Sequence, residues 1–173
     1  MESRSAKISL FIVCIGVICW LGGINIRALI GFNLLLTGTL EFKSNIHPYV
    51  ERTVFGLVAQ SSLVVMYAYL AVWIGGAVFL NTSSLRLKEH GWLMMAAILF
   101  YIFTPVEVYT MVLDFKMWLL DFNGSNDLVE FRKLFIHRLM ALAGVPIIAL
   151  MCYYTAVVLV VFRPFTNRAG TAK

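Results

Sequence analysis

The chain has 173 residues, of which 61% are hydrophobic and only 13% are charged. A soluble domain of this length needs about a quarter of its residues charged to cover its surface, so this composition excludes an ordinary water-soluble protein and favours a membrane protein. The formal net charge of +5 does not indicate nucleic-acid binding, because the basic residues stand at the ends of apolar segments, where they meet lipid head groups.

The first apolar segment begins at Ile8 and continues to about residue 42. At 1.5 Å per residue it is too long for one crossing of a hydrocarbon core about 30 Å thick. We predict one long helix over residues 8–41 that emerges beyond the bilayer, because polar residues and glycines recur at helical spacing in its second half (Asn33, Thr37, Glu41; Gly31, Gly38). The alternative is a membrane helix over residues 8–26, followed by an interfacial or re-entrant segment at 28–42.

Three further apolar segments predict spans at about residues 53–80, 92–120 and 132–162. The third also extends beyond the bilayer, since its last turns carry charged residues. The loops are too short for a separate soluble domain, so residues 1–173 form a single integral membrane domain. The sequence thus predicts an all-α membrane protein, a bundle of four transmembrane helices with spans one and three extended.

Four crossings place both termini on one side of the membrane. That side carries more basic residues near the span ends, so the positive-inside rule favours cytoplasmic termini and the cytoplasmic (inner) membrane. Small residues at spacings of three, four and seven predict close helix packing. These helix-packing candidates are Gly31, Gly38, Ala71, Gly75, Ala141 and Gly144.

Glu107 follows Pro105 inside an otherwise apolar span, where a carboxylate is costly unless a neighbour compensates its charge. Counting helical rise places Glu107 about 22 Å across the core and Arg27 about 30 Å across. Both lie in the half of the bundle away from the termini, so we predict that they form an ion pair. The predicted polar intramembrane cluster, which serves as a structural pair or as a binding site, comprises Arg27, Glu107, Asp114, His137 and Arg138.

Two short stretches resemble known families. Phe135-Ile136-His137-Arg138 at the start of a span resembles the His-Arg element of succinate dehydrogenase membrane anchors. Residues 27–32, followed by Thr37-Gly38, are similar to the first-helix pattern of the DoxX-like family of small four-helix membrane proteins. Neither resemblance implies a role for a particular residue of this chain.

No catalytic motif is present, and the three cysteines lie in apolar runs without metal-ligand spacing. We therefore expect no enzymatic activity, no metal and no cofactor. The leading hypothesis is a non-catalytic integral subunit, a scaffold or accessory protein that binds lipid and other membrane subunits but no nucleic acid. The alternatives are a redox anchor that binds quinone between Arg27, Glu107, His137 and Tyr109, and a small proton-coupled transporter that uses Glu107.

Overall fold

The computed structural model describes residues 3–85, 87 and 90–164. Its helices are α1 (Arg4–Phe32), α2 (Pro48–Thr82), α3 (Gly91–Tyr101), α4 (Thr104–Phe122), α5 (Leu128–Leu139) and α6 (Val145–Phe162), with a 3-10 turn at Ala141–Gly144. The described residues contain no β-strand, and an isolated antiparallel bridge joins Leu35 and Phe42.

Four helical stretches are long and apolar enough to cross a membrane, namely Arg4–Phe32, Pro48–Thr82, Gly91–Phe122 and Leu128–Phe162. The third consists of α3 and α4, and the fourth of α5 and α6. The prediction of an all-helical chain with four candidate spans is therefore confirmed. Extension of two spans beyond a bilayer stays a prediction.

The start of α1 and the end of α6 lie at the same end of the bundle. The Ser3 hydroxyl donates to the Thr82 carbonyl at 3.3 Å, which joins the start of α1 to the end of α2. The Arg163 guanidinium lies 5.4 Å from the ring centroid of Trp92, which joins the end of α6 to the start of α3. We call this the terminal end, and we call the opposite end, where α1 ends and α2 begins, the far end.

Span one ends earlier than the sequence predicted. Helix α1 stops at Phe32, so the prediction of a continuous helix over residues 8–41 is wrong. The alternative also differs from the structure, because α1 continues past residue 26 and the segment after Phe32 is not helical. At the tip of that segment Gly38 has a φ of +80°, a left-handed conformation that ends any helical path and that glycine adopts at little cost.

The segment after α1 folds back on itself and covers the far end. The Leu36 amide donates to the Glu41 carbonyl at 2.9 Å, and the Lys43 amide donates to the Leu34 carbonyl at 3.0 Å. Leu34 and Leu35 are only 2% and 4% exposed. Burial of two leucines therefore outweighs the helical spacing of the polar residues around them.

Span three is broken at a proline. Helix α3 ends at Tyr101, and α4 begins at Thr104 with Pro105 in its first turn. Proline has no amide hydrogen to donate to the Tyr101 carbonyl, and its ring clashes with that carbonyl. The predicted span over residues 92–120 therefore consists of two helices, α3 and α4.

Span four is broken more sharply. Leu142, Ala143 and Gly144 have φ values of 49°, 51° and 88°, so three consecutive residues adopt the left-handed conformation. That conformation costs roughly 1–2 kcal/mol for each residue with a side chain. Pro146 follows in the first turn of α6, where a missing amide hydrogen is tolerated. The predicted span over residues 132–162 therefore consists of two helices, α5 and α6, joined by this turn.

The core contains two groups of buried side chains. At the far end, a phenyl cluster forms between α2 and α5, where Phe55 and Phe131 stack with ring centroids 5.5 Å apart. An aromatic cluster joins α1, α2, α3 and α6, in which Trp20 lies 4.6 Å from Tyr153 between ring centroids. These two clusters hold the helices on either side of the candidate site.

Candidate functional site: a buried cluster of charged residues

Asp114 on α4 is a buried carboxylate that contacts two arginines from other helices. Its Oδ2 lies 2.7 Å from Nη1 of Arg27, and its Oδ1 accepts from Nε of Arg138 at 3.1 Å. Nη1 of Arg27 also donates to the Ser62 hydroxyl at 2.9 Å. All four spans thus contribute one side chain to a single hydrogen-bonded group, which we call the arginine-aspartate cluster.

Local structure explains how these side chains meet. Arg138 lies in the last turn of α5, where the helix dipole favours a positive charge. The Ser62 hydroxyl donates to the Val58 carbonyl at 2.8 Å, which turns its lone pairs towards Arg27. Arg27 and Asp114 are 8% and 6% exposed. Two charges so far from solvent are held only because each has its partners within hydrogen-bond distance.

Glu107 does not pair with Arg27, contrary to the sequence prediction. Glu107 and Asp114 lie seven residues apart on α4, which is about 10 Å along a helix axis. Asp114 is therefore at the level of Arg27, near the far end of α1, and it forms the ion pair. No basic side chain in the described residues lies within 4.0 Å of the Glu107 carboxylate.

The Glu107 side chain is buried, with 9% of its surface exposed. It interacts electrostatically with Arg138 and Arg27 at longer range. The Tyr153 hydroxyl is also close to it, although that hydroxyl makes no hydrogen bond with acceptable distance and angle. With Glu107 included, two arginines and two carboxylates balance in formal charge.

His137 lies apart from this cluster. Its side chain is exposed, and its Nε2 lies 3.1 Å from the Tyr109 hydroxyl. Among the five residues predicted to form one polar group, the structure brings together Arg27, Asp114 and Arg138. It places Glu107 nearby and His137 on the outside.

Two of the predicted helix-packing residues lie in close contact with another helix. A Cβ at Gly31 would lie 2.7 Å from Cζ of Phe135, and a Cβ at Gly75 would lie 3.1 Å from Cγ2 of Val13. Real Cβ atoms do not approach a ring atom at the first of these distances, so α1 and α5 touch at Gly31 only because it has no side chain.

The other four candidates divide differently. Ala141 is buried, with 1% of its surface exposed, and Ala71 is half-buried. Gly38 and Gly144 both have positive φ, and nothing lies within 4 Å of a Cβ at either position. These two glycines therefore form turns and do not pack helices, which differs from the prediction.

The sequence analysis missed a second set of ion pairs at the far end. Arg132 donates to both carboxylate oxygens of Glu51, at 2.5 and 2.6 Å, and Glu51 is 2% exposed. Arg52 pairs with Asp121 at 2.7 Å and lies 4.6 Å from the ring centroid of Phe131. These pairs could have been predicted, because residues of opposite charge lie at the far ends of spans two, three and four.

The pocket beside the arginine-aspartate cluster encloses about 80 Å³. Sites for organic ligands usually measure about 300–1,000 Å³, so this pocket is too small for a quinone ring and tail. Among the described residues, no group of three or more His, Cys, Asp or Glu side chains has an arrangement that could hold a metal ion.

No protein-family model matches this sequence, and the comparisons with curated proteins and with solved structures find no match. The two family resemblances in the sequence therefore gain no support. The structure itself defines the class, an all-helical chain with four helices apolar enough to cross a membrane.

Proposed function

We propose that this chain is a non-catalytic integral membrane subunit that binds the helices of partner subunits in a larger membrane protein complex. The observation that carries the proposal is an amide side chain, Gln60, on the outside of the bundle at the level of the arginine-aspartate cluster. Gln60 is exposed and makes no side-chain hydrogen bond within the described part of the chain.

The orientation of Gln60 follows from helix geometry. It lies two residues before Ser62 on α2, so the two side chains point about 200° apart around the helix axis. Ser62 is 3% exposed and contacts Arg27 inside the bundle. Gln60 therefore points outwards at the depth where the bundle buries its charges.

An outward amide at that depth needs a partner. By helical rise the arginine-aspartate cluster lies about 30 Å across a core about 30 Å thick, at the edge of the hydrocarbon. An amide there without a hydrogen bond costs about 1–3 kcal/mol. Glutamine side chains commonly hydrogen-bond across neighbouring membrane helices, so the helix of a second protein would satisfy this one. Lys116 on α4 is also polar and exposed, but it is a weaker indication of a partner, because its long side chain can extend to the head groups.

We propose the cytoplasmic membrane, with the terminal end of the bundle on the cytoplasmic side, because that end carries the larger number of basic residues. Membrane-impermeant thiol labelling tests the orientation in a background without the three natural cysteines. A cysteine at Asn126 should react in intact cells, whereas a cysteine at Ser3 should react only after the membrane is opened. The reverse pattern would contradict the proposed orientation.

The partner is tested by photocrosslinking in native membranes. A photoreactive residue at position 60 should give a protein adduct of defined mass. The same residue at Leu29, an exposed apolar position on α1 at about the level of Arg27, is the matched control and should give less of that adduct. Gln60→Leu should lower the mass of the complex extracted in mild detergent. Lipid adducts alone at position 60, together with an unchanged mass, would contradict the proposal.

A second candidate function, proton-coupled transport, is favoured by one observation. Glu107 is buried without a basic side chain within 4.0 Å among the described residues, as expected for a carboxylate that gains and loses a proton. The purified protein in liposomes should then move a proton or solute, and Glu107→Gln should abolish the movement while the melting temperature is unchanged. Liposomes that show no movement with the wild-type protein would contradict this candidate.

A further inference from the structure

The two arginines of the arginine-aspartate cluster carry more hydrogen-bond donors than the cluster uses. A guanidinium has five N–H groups. Within the described part of the chain, Arg27 donates only from Nη1, to Asp114 and Ser62. Arg138 donates there only from Nε, to Asp114. Nη2 of Arg27 and both Nη atoms of Arg138 are therefore left without an acceptor among the described residues.

These unused nitrogen atoms are accessible. Neither arginine is among the described residues whose unpartnered polar atoms are fully buried, so each unused nitrogen retains accessible surface. The side chain of Arg138 is 19% exposed. Both arginines line the pocket of about 80 Å³ beside the cluster. The pocket therefore offers N–H donors to a further acceptor.

The lining of this pocket has a net positive charge. Its charged members among the described residues are Arg27, Arg138 and Asp114, two positive charges against one negative. Each carboxylate oxygen of Asp114 already accepts from one arginine, so one guanidinium remains without a counter-charge in the lining. Glu107 does not line the pocket, and it lies about 10 Å from Asp114 along the axis of α4. The lining therefore favours an anion.

Size and depth select the kind of anion. The pocket is too small for an organic ring with a tail, but it is larger than the volume of about 30 Å³ that one water molecule occupies, which suits a tetrahedral oxyanion. By helical rise, Arg27 lies about 30 Å across a hydrocarbon core about 30 Å thick, next to the lipid head groups. Phospholipids present their phosphates at this level, and the fork of a guanidinium matches two phosphate oxygens.

The rest of the lining suits the part of a lipid that adjoins its phosphate. Apart from the three charged residues, the lining consists of apolar side chains, mostly from α1 and α5. One of them, Phe32 at the far end of α1, is 51% exposed, so the apolar lining continues onto the outer surface of the bundle. A phosphate in the pocket can therefore stay joined to acyl chains that lie against that surface.

We propose that Arg27 and Arg138 bind a phosphate group in this pocket, with phosphate oxygens that accept from the unused Nη atoms of the two arginines. Phospholipid head groups and inorganic phosphate both carry such a group, and the depth and the apolar lining favour the lipid. The proposal does not depend on the proposed partner subunits, because every residue that it uses belongs to this chain.

The test is a lipid titration of the delipidated full-length protein in a neutral detergent, measured by native mass spectrometry. Phosphatidylglycerol should bind saturably, with one molecule per chain. Diacylglycerol with the same acyl chains has no phosphate and should bind at least about tenfold more weakly, which corresponds to about 1.4 kcal/mol. Equal binding of the two lipids would show that only the acyl chains are recognised and would overturn the proposal.

Inorganic phosphate distinguishes the two sources of the phosphate group. Displacement of phosphatidylglycerol by millimolar inorganic phosphate, but not by sodium chloride at the same ionic strength, would assign the pocket to the free ion. A lipid that stays bound in both salts would assign the pocket to the head group. Either result supports recognition of phosphate.

Matched charge variants test the role of Arg138. Arg138→Gln should weaken phosphatidylglycerol binding about tenfold, because it removes charge-assisted donors, while Asp114 keeps its bond to Arg27. Lys133→Gln removes the same charge from a side chain that is 75% exposed on α5 and does not line the pocket. This control should change binding by less than about twofold. Equal weakening by both variants would indicate a general attraction to basic residues and would overturn the proposal.

A second pair of variants keeps the test decisive if Arg138→Gln does not fold. Ala28 lines the pocket, so Ala28→Leu should fill it and weaken binding while both arginines are retained. Ala97→Leu is the same substitution outside this pocket and should leave binding unchanged. Unchanged binding in Ala28→Leu would overturn the proposal, because the phosphate would then not lie in this pocket.

Discussion

The two halves of the bundle are held together in different ways. The far half contains the arginine-aspartate cluster, two more ion pairs and the phenyl cluster, and Arg52 of one ion pair lies 4.6 Å from the ring centroid of Phe131. The terminal half is joined mainly by apolar and aromatic contacts, with a few hydrogen bonds such as that from the Tyr101 hydroxyl to the Trp73 carbonyl, and it contains a cavity of about 460 Å³. The difference indicates that the far half fixes the arrangement of the four spans, while the terminal half has room for another molecule.

The largest expected effect tests the far half. Asp114→Ala leaves two buried arginines without their carboxylate, so we expect a loss of about 3–5 kcal/mol in unfolding free energy. Reversible unfolding in mixed detergent measures it. Lys116→Ala, two residues away and exposed, is the control and should change stability by less than about 0.5 kcal/mol. Equal effects of the two variants would contradict the role of the arginine-aspartate cluster in holding the far half together.

An alanine-to-leucine substitution in each half gives the next largest expected effect on stability. Ala59 is 0% exposed beside the phenyl cluster, so Ala59→Leu should overpack that core and cost about 1–3 kcal/mol. Ala97 lines the cavity, so Ala97→Leu should fill space and leave stability unchanged or raise it by about 1 kcal/mol. Thermal unfolding of both variants measures the difference, and a similar loss in both would mean that the cavity is not available space.

The smallest effect concerns the break in span four. Gly144 has a φ of +88° with nothing within 4 Å of a Cβ, so Gly144→Ala should cost about 1 kcal/mol through backbone conformation alone. Gly22 is helical and also has free space around its Cβ position. Gly22→Ala should therefore have the opposite sign and stabilise by about 0.5–1 kcal/mol. A stabilising effect at both positions would show that the break relaxes to a helix.

The existence of four apolar helices follows from composition and segment length alone. The breaks in spans three and four could also have been predicted from the sequence, since Pro105 and Pro146 each remove an amide hydrogen inside a span. The fold of residues 33–46 could not be predicted, because it depends on burial of Leu34 and Leu35 against helices that come later in the chain. Helical spacing of polar residues says nothing about such contacts.

The partner of Arg27 could have been predicted from depth. The estimates of about 22 Å for Glu107 and 30 Å for Arg27 differ by about 8 Å, and seven more residues of helical rise place Asp114 near 33 Å. Depth therefore favours Asp114 over Glu107. The orientation of Gln60 and the cavity beside Trp20 could not be predicted, because they depend on which face each helix presents to its neighbours.

The arginine-aspartate cluster also has a consequence for the order of synthesis. Arg27 is made 87 residues before Asp114, an interval of about 4–17 s at 5–20 residues per second. Ser62, which follows after 35 residues, is the first of its partners to emerge from the ribosome. The Arg27 guanidinium therefore has no opposite charge, and is held at the interface or by the insertion machinery, until span three is synthesised and Asp114 neutralises it.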